Sequence, residues 1–231
     1  MINDNISDLR QRITRACSRA KRDVSEVSVI AVSKSRPCEQ IMEVIAAGIT
    51  NIGENRVQEA KRKIADLTNV SGVSPVKWHL VGHLQTNKVR EALKMFDLIH
   101  SVDSLHLAVE IDKAAAACAK RQEILLQVNT SFEETKFGLS PDQAFDVILE
   151  ISRLKNIIVK GLMTIAPMVS NQDEVRPYFR KLKELKDKYN KFSKDTNQLQ
   201  ELSMGMSDDF EAAIEEGATM IRVGRAIFSG Q

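Results

Sequence analysis

Strict alternation is the feature that most limits how this chain can fold. Eight apolar runs bounded by turn residues read as strands: "VSVIAVSK", "GITNIGE", "VKWHLVGHLQ", "LIHSVDS", "EILLQVNTS", "IIVKGLMTIAP", "LQELSMGMS" and "MIRVGRAIF". Seven stretches of helical character, from "CEQIMEVIAAG" to "DDFEAAIEEG", fill the gaps between them. Pro37, Pro141 and Pro177 stand near helix starts, and Gly48 and Gly217 follow helical runs, as helix stop signals do. The expected architecture is an α/β, single-domain (β/α)8 barrel of the TIM type over residues 1–231, with an extra helix over residues 5–22. A doubly wound open sheet is the rival, but it would need a dinucleotide fingerprint or switch-point loop, and the chain offers neither.

Composition narrows the function classes. The 33 basic and 31 acidic residues, net +2, are spread along the chain and give no global case for nucleic acid or an anionic membrane, so any anion site must be local. Cys17, Cys38 and Cys118 form neither a disulfide framework nor a zinc pattern, which suits a reducing compartment and hence the cytoplasm. No apolar stretch approaches the roughly eighteen residues of a membrane span. No signal peptide is expected either.

Chemistry in such a barrel gathers at the C-terminal ends of strands. Lys34 ends the first run, where an apolar wall could desolvate it into an amine nucleophile for a carbonyl; a salt-bridged or snorkelling lysine is the plainer alternative. At the other end of the chain, "SMGMS" places Gly205 in a loop ahead of an amphipathic helix, with Ser207 as the expected N-cap and Asp208 and Asp209 expected to face outward. Loops after strands seven and eight are the usual phosphate site of this architecture, and free backbone N–H groups would serve it. In "MIRVGRAIF", Gly224 would let the backbone approach a ligand, Arg225 would add charge, and Arg222 would share a strand face with Gly224. An arginine in a barrel strand needs a partner such as a ring nitrogen or a phosphate oxygen. A capped turn and a packing glycine are the alternatives for the two loops.

Taken together, "AVSKSRP", "GENRVQEAKRK", "WHLVGHLQTNK", "KFG", "GLMTIAP" and "LSMGMSDDFEAAIEEGATMIRVGRAIF" resemble the pyridoxal phosphate homeostasis protein family, single-domain relatives of the alanine racemase barrel. The resemblance implies pyridoxal 5'-phosphate (PLP) held as a Schiff base on Lys34, with Ser203, Ser207, Gly224 and Arg225 at the phosphate. It also implies Arg222 facing the pyridine nitrogen, Asn55 beside the cofactor, and Lys136 as a secondary PLP site. Arg36 departs from relatives with a second lysine there, and the ending "IFSGQ" departs from those that continue into a basic tail.

The same resemblance implies a role in intracellular PLP homeostasis, with PLP as ligand, apo PLP-dependent enzymes as possible recipients, and a monomer that engages neither nucleic acid nor membrane. An arginine at the ring nitrogen would leave that nitrogen unprotonated, and only Lys34 can be named as an acid/base group. Tyr178 and Tyr189 fall in the charged helix after strand six, away from any site. Efficient catalysis is therefore not expected, a weak amino acid racemase being the alternative. A cofactor-free enzyme joining Lys34 to a phosphorylated carbonyl substrate is a further one.

No metal site is expected: His79 and His83, read as one strand, would stand roughly 13 Å apart. His100 and His106 read as ordinary polar positions.

Overall fold

The computed structural model describes residues 1–68, 75–131, 133, 136–169, 171–193 and 198–229. All strands form in the expected order: β1 (Ser28–Val32), β2 (Asn51–Glu54), β3 (Lys77–Leu80), β4 (Leu98–Val102), β5 (Gln122–Gln127), β6 (Ile157–Met163), β7 (Glu201–Ser203) and β8 (Met220–Val223). Each pairs in parallel with the next, and β8 closes the barrel on β1, with Ile30 opposite Arg222 and Ala31 opposite Val223. The crossovers carry α2 (Cys38–Ala46), α3 (Val57–Thr68), α4 (Val89–Ala92), α5 (Leu105–Ala117), α6 (Pro141–Ile151), α7 (Arg176–Ser193) and α8 (Phe210–Glu215). Before β1 lies α1 (Ile2–Ala20), and after β8 comes α9 (Arg225–Phe228). Among the described residues no helix is long and apolar enough to cross a membrane.

The extra helix has a structural reason. The helices flanking β8 are short, six residues in α8 and four in α9, too little to cover the outside of that corner. In α1, Ile2, Ile6, Leu9, Ile13 and Cys17 recur at helical spacing and are buried there. Each such aliphatic side chain withdrawn from water contributes about 1.5–3 kcal/mol. Asn5 Nδ2 donates to the carbonyl of Ile227 at 2.9 Å, and Arg22 Nη1 donates to those of Ile214 and Ala218 at 2.8 Å.

Strands end sooner than their apolar runs. The first run stops at Val32, so Lys34 lies in a turn beyond the strand and is exposed, not set in an apolar wall. The third stops at Leu80, which takes His83 out of the strand in which it was expected. The eighth stops at Val223, and its tail is helical: β1, its partner, has ended, and Gly224 turns the chain past the carbonyl of Val32.

Most apolar side chains fill the layer between barrel and helices. A small apolar cluster of Leu98, Leu125 and Met163 faces the inside, where Ile30, opposite Arg222 in the register, is buried as well. Polar side chains share that interior, which in a fold usually filled by branched aliphatics is unusual.

Candidate functional site

The turn that bears Lys34 is held from below by buried charges. Lys63, one turn after Glu59 on α3, sends its Nζ to Glu54 Oε1 at 2.6 Å, to Glu59 Oε1 at 2.8 Å and to the carbonyl of Ser33 at 2.6 Å. The Ser33 hydroxyl donates to the same Glu54 oxygen, and Ser35 N–H donates to Glu59 Oε1 at 2.6 Å. Residues 33 and 35 are thus tied on both sides of Lys34, and Ser35 is held at φ 58 in the left-handed region. Burial pushes the Glu54 carboxyl up, opposed by Lys63 and Ser33. Its Oε2 is buried with no hydrogen-bond partner.

At the centre of the barrel stands Arg222, 5% exposed. Its Nη1 donates to Ser203 Oγ at 2.6 Å and its Nη2 to the carbonyl of Thr164 at 2.8 Å. No described carboxylate forms an ion pair with it, and no described residue accepts from its Nε. Burial lowers its pKa to about 10, so it stays charged at neutral pH. A buried cation with spare N–H groups, whose hydrogen-bond partners are all neutral and on which the Asp209 carboxylate acts only through space, has room for a further acceptor.

Behind Ser203 runs a line of polar side chains. Ser203 Oγ lies 2.9 Å from His100 Nδ1, His100 Nε2 lies 3.0 Å from His79 Nδ1, and His79 Nε2 lies 3.2 Å from Asn51 Oδ1. Burial pushes the pKa of His79 down to about 4 and that of His100 well below the ordinary value, so both rings are neutral. His100, expected to be an ordinary polar position, is instead fully buried, because the register sets β4 beside β3 with its even-numbered residues turned inward. His106 is exposed. The Ser203 hydroxyl, which the resemblance directs to the phosphate, is engaged in this line.

The loops after β7 and β8 meet beside the Lys34 turn. Gly205 takes φ 90, and a Cβ there would come within 2.5 Å of Ala213 Cβ. Ser207 does not cap α8; its Oγ accepts from Ala226 N–H at 3.3 Å and so joins the two loops. Asp209 does not face outward: it is buried and accepts from Met206 N–H at 2.5 Å, with burial raising its pKa. Asp208 is exposed and pairs with Arg225. The N–H groups of Ser207, Asp208 and Arg225 donate to no described residue, which leaves free donors where a phosphate would sit. Gly224 lies so close to β1 that a Cβ would stand 3.2 Å from the Val32 carbonyl, two residues from Lys34. Lys34, Ser207, Gly224, Arg225 and Arg222 are therefore brought to one quarter of the barrel mouth.

Half-buried Asn55 follows β2 on the other flank of the Lys34 turn. Its backbone presses on Gly82, where a Cβ would be 2.2 Å from the Asn55 carbonyl oxygen, and Ser101 Oγ donates to the Gly82 carbonyl at 2.6 Å. Lys136 stands across the mouth, after β5, with Nζ donating to Glu133 Oε1 at 2.7 Å. Next to it Phe137 stacks on the His83 ring, centroids 4.0 Å apart, while His83 Nδ1 lies 3.1 Å from Asp103. Tyr178 and Tyr189 pack on α7 outside the barrel, and Arg36 bonds to Ser229 Oγ at 2.6 Å. Gly230 and Gln231 lie outside the described residues. Among the described residues no three His, Cys, Asp or Glu side chains assemble a metal site.

The sequence reading missed Glu54, Lys63, Gly82 and the two interior histidines. A signal was available for the first two: Glu59 and Lys63 are spaced for a helical ion pair, and Glu54 ends an apolar run that ought to be buried.

Residues 5–231 match the family described as alanine racemase, N-terminal domain. A pyridoxal phosphate homeostasis protein of Aquifex aeolicus is 42% identical over 226 residues, covering 97% of this chain and 96% of its own. PipY of Synechococcus elongatus PCC7942, solved with PLP bound, is 36% identical with a TM-score of 0.82, covering 99% of this chain and 100% of its own. An alanine racemase of Clostridium difficile 630, at 15% identity and TM-score 0.70, covers 96% of this chain but 56% of its own, and shares the fold. With the family match and such relatives spanning nearly its whole length, the chain belongs to the pyridoxal phosphate homeostasis proteins, within the alanine racemase N-terminal domain family.

Proposed function

We propose that this chain binds PLP at the C-terminal mouth of its barrel and serves cytoplasmic PLP homeostasis without efficient turnover. The observation that carries the reading is Arg222: a buried guanidinium, still charged, hydrogen-bonded to no described carboxylate and with N–H groups to spare, next to free loop N–H groups and an accessible lysine. A ring nitrogen answers the first, a phosphate the second and an aldehyde the third. PLP supplies an electrophilic aldehyde on a ring that can accept electrons.

Lys34, exposed in its tethered turn, is the amine that would hold that aldehyde, water being the leaving group. Arg222 would donate to the ring nitrogen and, keeping its own proton, would leave that nitrogen unprotonated and the ring a weaker electron sink. The N–H groups of Ser207, Asp208 and Arg225 would hold the phosphate. Ser207 also has its own hydroxyl hydrogen to give, because its oxygen already accepts from Ala226. Gly224 permits the close approach, and the Arg225 side chain can exchange Asp208 for the phosphate. Asn55 borders the ring, Lys136 is a second place for a PLP aldehyde, and apo PLP-dependent enzymes are the recipients.

Inverting a carbon centre requires acid/base groups on both faces, and no tyrosine approaches the mouth. The test is the visible spectrum with and without borohydride for wild type and Lys34→Ala. A yellow protein whose reduced adduct maps by mass to Lys34, absent from the variant, supports the reading; a protein colourless with added PLP overturns it. Enzyme-like racemisation of any common amino acid would overturn the non-catalytic part.

A further inference from the structure

We propose that His79 and His100 are positioning residues for Arg222: with Asn51 and Ser203 they form a hydrogen-bonded line of one polarity that fixes how the guanidinium is presented to a ligand. The donors and acceptors decide the direction. Arg222 has only N–H groups, so Ser203 Oγ accepts from Nη1. The hydroxyl hydrogen then has one described acceptor within reach, His100 Nδ1 at 2.9 Å. Accepting there, a neutral His100 carries its proton on Nε2 and donates to His79 Nδ1 at 3.0 Å. His79 in turn carries its proton on Nε2 and donates to Asn51 Oδ1 at 3.2 Å. Both rings and the Ser203 hydroxyl are then satisfied, and both rings are the Nε2–H tautomer.

The opposite direction fails at both ends. With neutral rings it needs the Asn51 amide turned over, and it leaves the Ser203 hydroxyl hydrogen without an acceptor in the barrel interior. A proton added to His79 forces the same reversal, because His79 Nδ1–H would have to donate to His100 Nε2 and push the His100 proton to Nδ1. The two rings therefore act as a unit, and what one does reaches Ser203.

The consequence lies at Arg222. Ser203 Oγ and the Thr164 carbonyl hold Nη1 and Nη2 and so fix the plane of the guanidinium. A serine whose hydrogen had no acceptor would turn about its Cβ–Oγ bond and leave the direction of its lone pairs toward Nη1 unfixed. His100 prevents that by taking the hydrogen, and His79 holds His100 in the tautomer that can. This inference rests on the reading of Arg222 as the partner of the PLP ring nitrogen, but the line itself does not.

Two measurements separate the two. First, long-range 1H–15N NMR of the ligand-free protein near pH 7.5 should find both interior histidines neutral and protonated on Nε2; an Nδ1–H tautomer or a charged ring at either position overturns the line even if PLP binds. Second, PLP titrations of wild type, His100→Leu, Ser203→Ala and the double variant should show Kd weakened roughly tenfold in each single variant, the scale of a lost hydrogen bond to a charged group. The absorption maximum of PLP bound at Lys34 should shift alike in both. The double variant should resemble either single one, since the residues act through one contact. Independent, additive losses, or an unshifted spectrum in His100→Leu, would overturn the positioning role. Absence of PLP binding by wild type would instead sink the reading of the site and leave the tautomer result to judge the line. Should the variants not fold, that result on the unaltered protein still decides.

Discussion

The interior histidines make the stability of this protein depend on pH, and His79 gives the size of the effect. Its pKa falls from 6.5 to about 4 because burial disfavours the charged ring; Asp97 opposes that shift and Lys77 adds to it. In the unfolded chain the ring takes up a proton near pH 6.5. Between there and about pH 4 the unfolded state binds a proton that the folded state refuses, so stability is lost as pH falls, at up to 1.36 kcal/mol per unit. Over the whole window that is about 3 kcal/mol, and from pH 6.5 to 5 about 2 kcal/mol. Below the folded pKa the loss levels off. Carboxylates titrate in the lower part of this range, so the quantity to read is the difference between wild type and His79→Gln, which cannot titrate. Urea unfolding at pH 7.5, 6.5, 5.5 and 5.0 should show the stability advantage of wild type shrinking toward acid by about 2 kcal/mol at unchanged m-value. An advantage constant across these pH values would show that the ring protonates equally easily in both states and would refute the buried, neutral assignment.

Lys63→Met should cost about 3–5 kcal/mol near pH 7.5, because it strands the buried Glu54 carboxylate. The cost should shrink toward acid as Glu54 is protonated in the folded state, and a urea midpoint within error of wild type at both pH values would contradict the clamp. Arg222→Met should leave the ligand-free protein as stable as wild type or more so, since a buried cation with neutral hydrogen-bond partners is replaced by an apolar chain of similar length, yet weaken PLP binding; a large loss of thermal stability without ligand would show that Ser203, the Thr164 carbonyl and the field of Asp209 already compensate the cation. Gly205→Ala should lose about 1–2 kcal/mol and weaken PLP binding, as φ 90 and the contact with Ala213 leave no room for a methyl group; an unchanged melting temperature would argue against that loop geometry.

How far the site could be read from the chain depends on whether the relevant contact is local or crosses the barrel. The strands were legible because a parallel barrel buries both faces of each, so each reads as a bare apolar run between polar helices. Lys34, Gly205 and Gly224 were legible by position, each following such a run. The N-cap expected of Ser207 and the outward turn expected of Asp209 were misjudged, because a capping preference says which backbone groups lie near in sequence and nothing of Ala226, brought in from another strand. His79 and His100 lie 21 residues apart and meet only because β3 and β4 pair in one register. Shifting that pairing by one residue would turn one of them out of the barrel. Even so, the sequence held a signal that motif reading passed over. "NIGE", "KWHL" and "LIHSV" set Glu54, His79 and His100 within runs destined for burial, as Lys34 stands at the end of its own. A buried polar group requires a partner. Several such interruptions on strands β2, β3, β4 and β8 imply partners within the fold: Glu54 meets Lys63 of α3 between barrel and helix, and His79 reaches Arg222 through His100 and Ser203 inside the barrel.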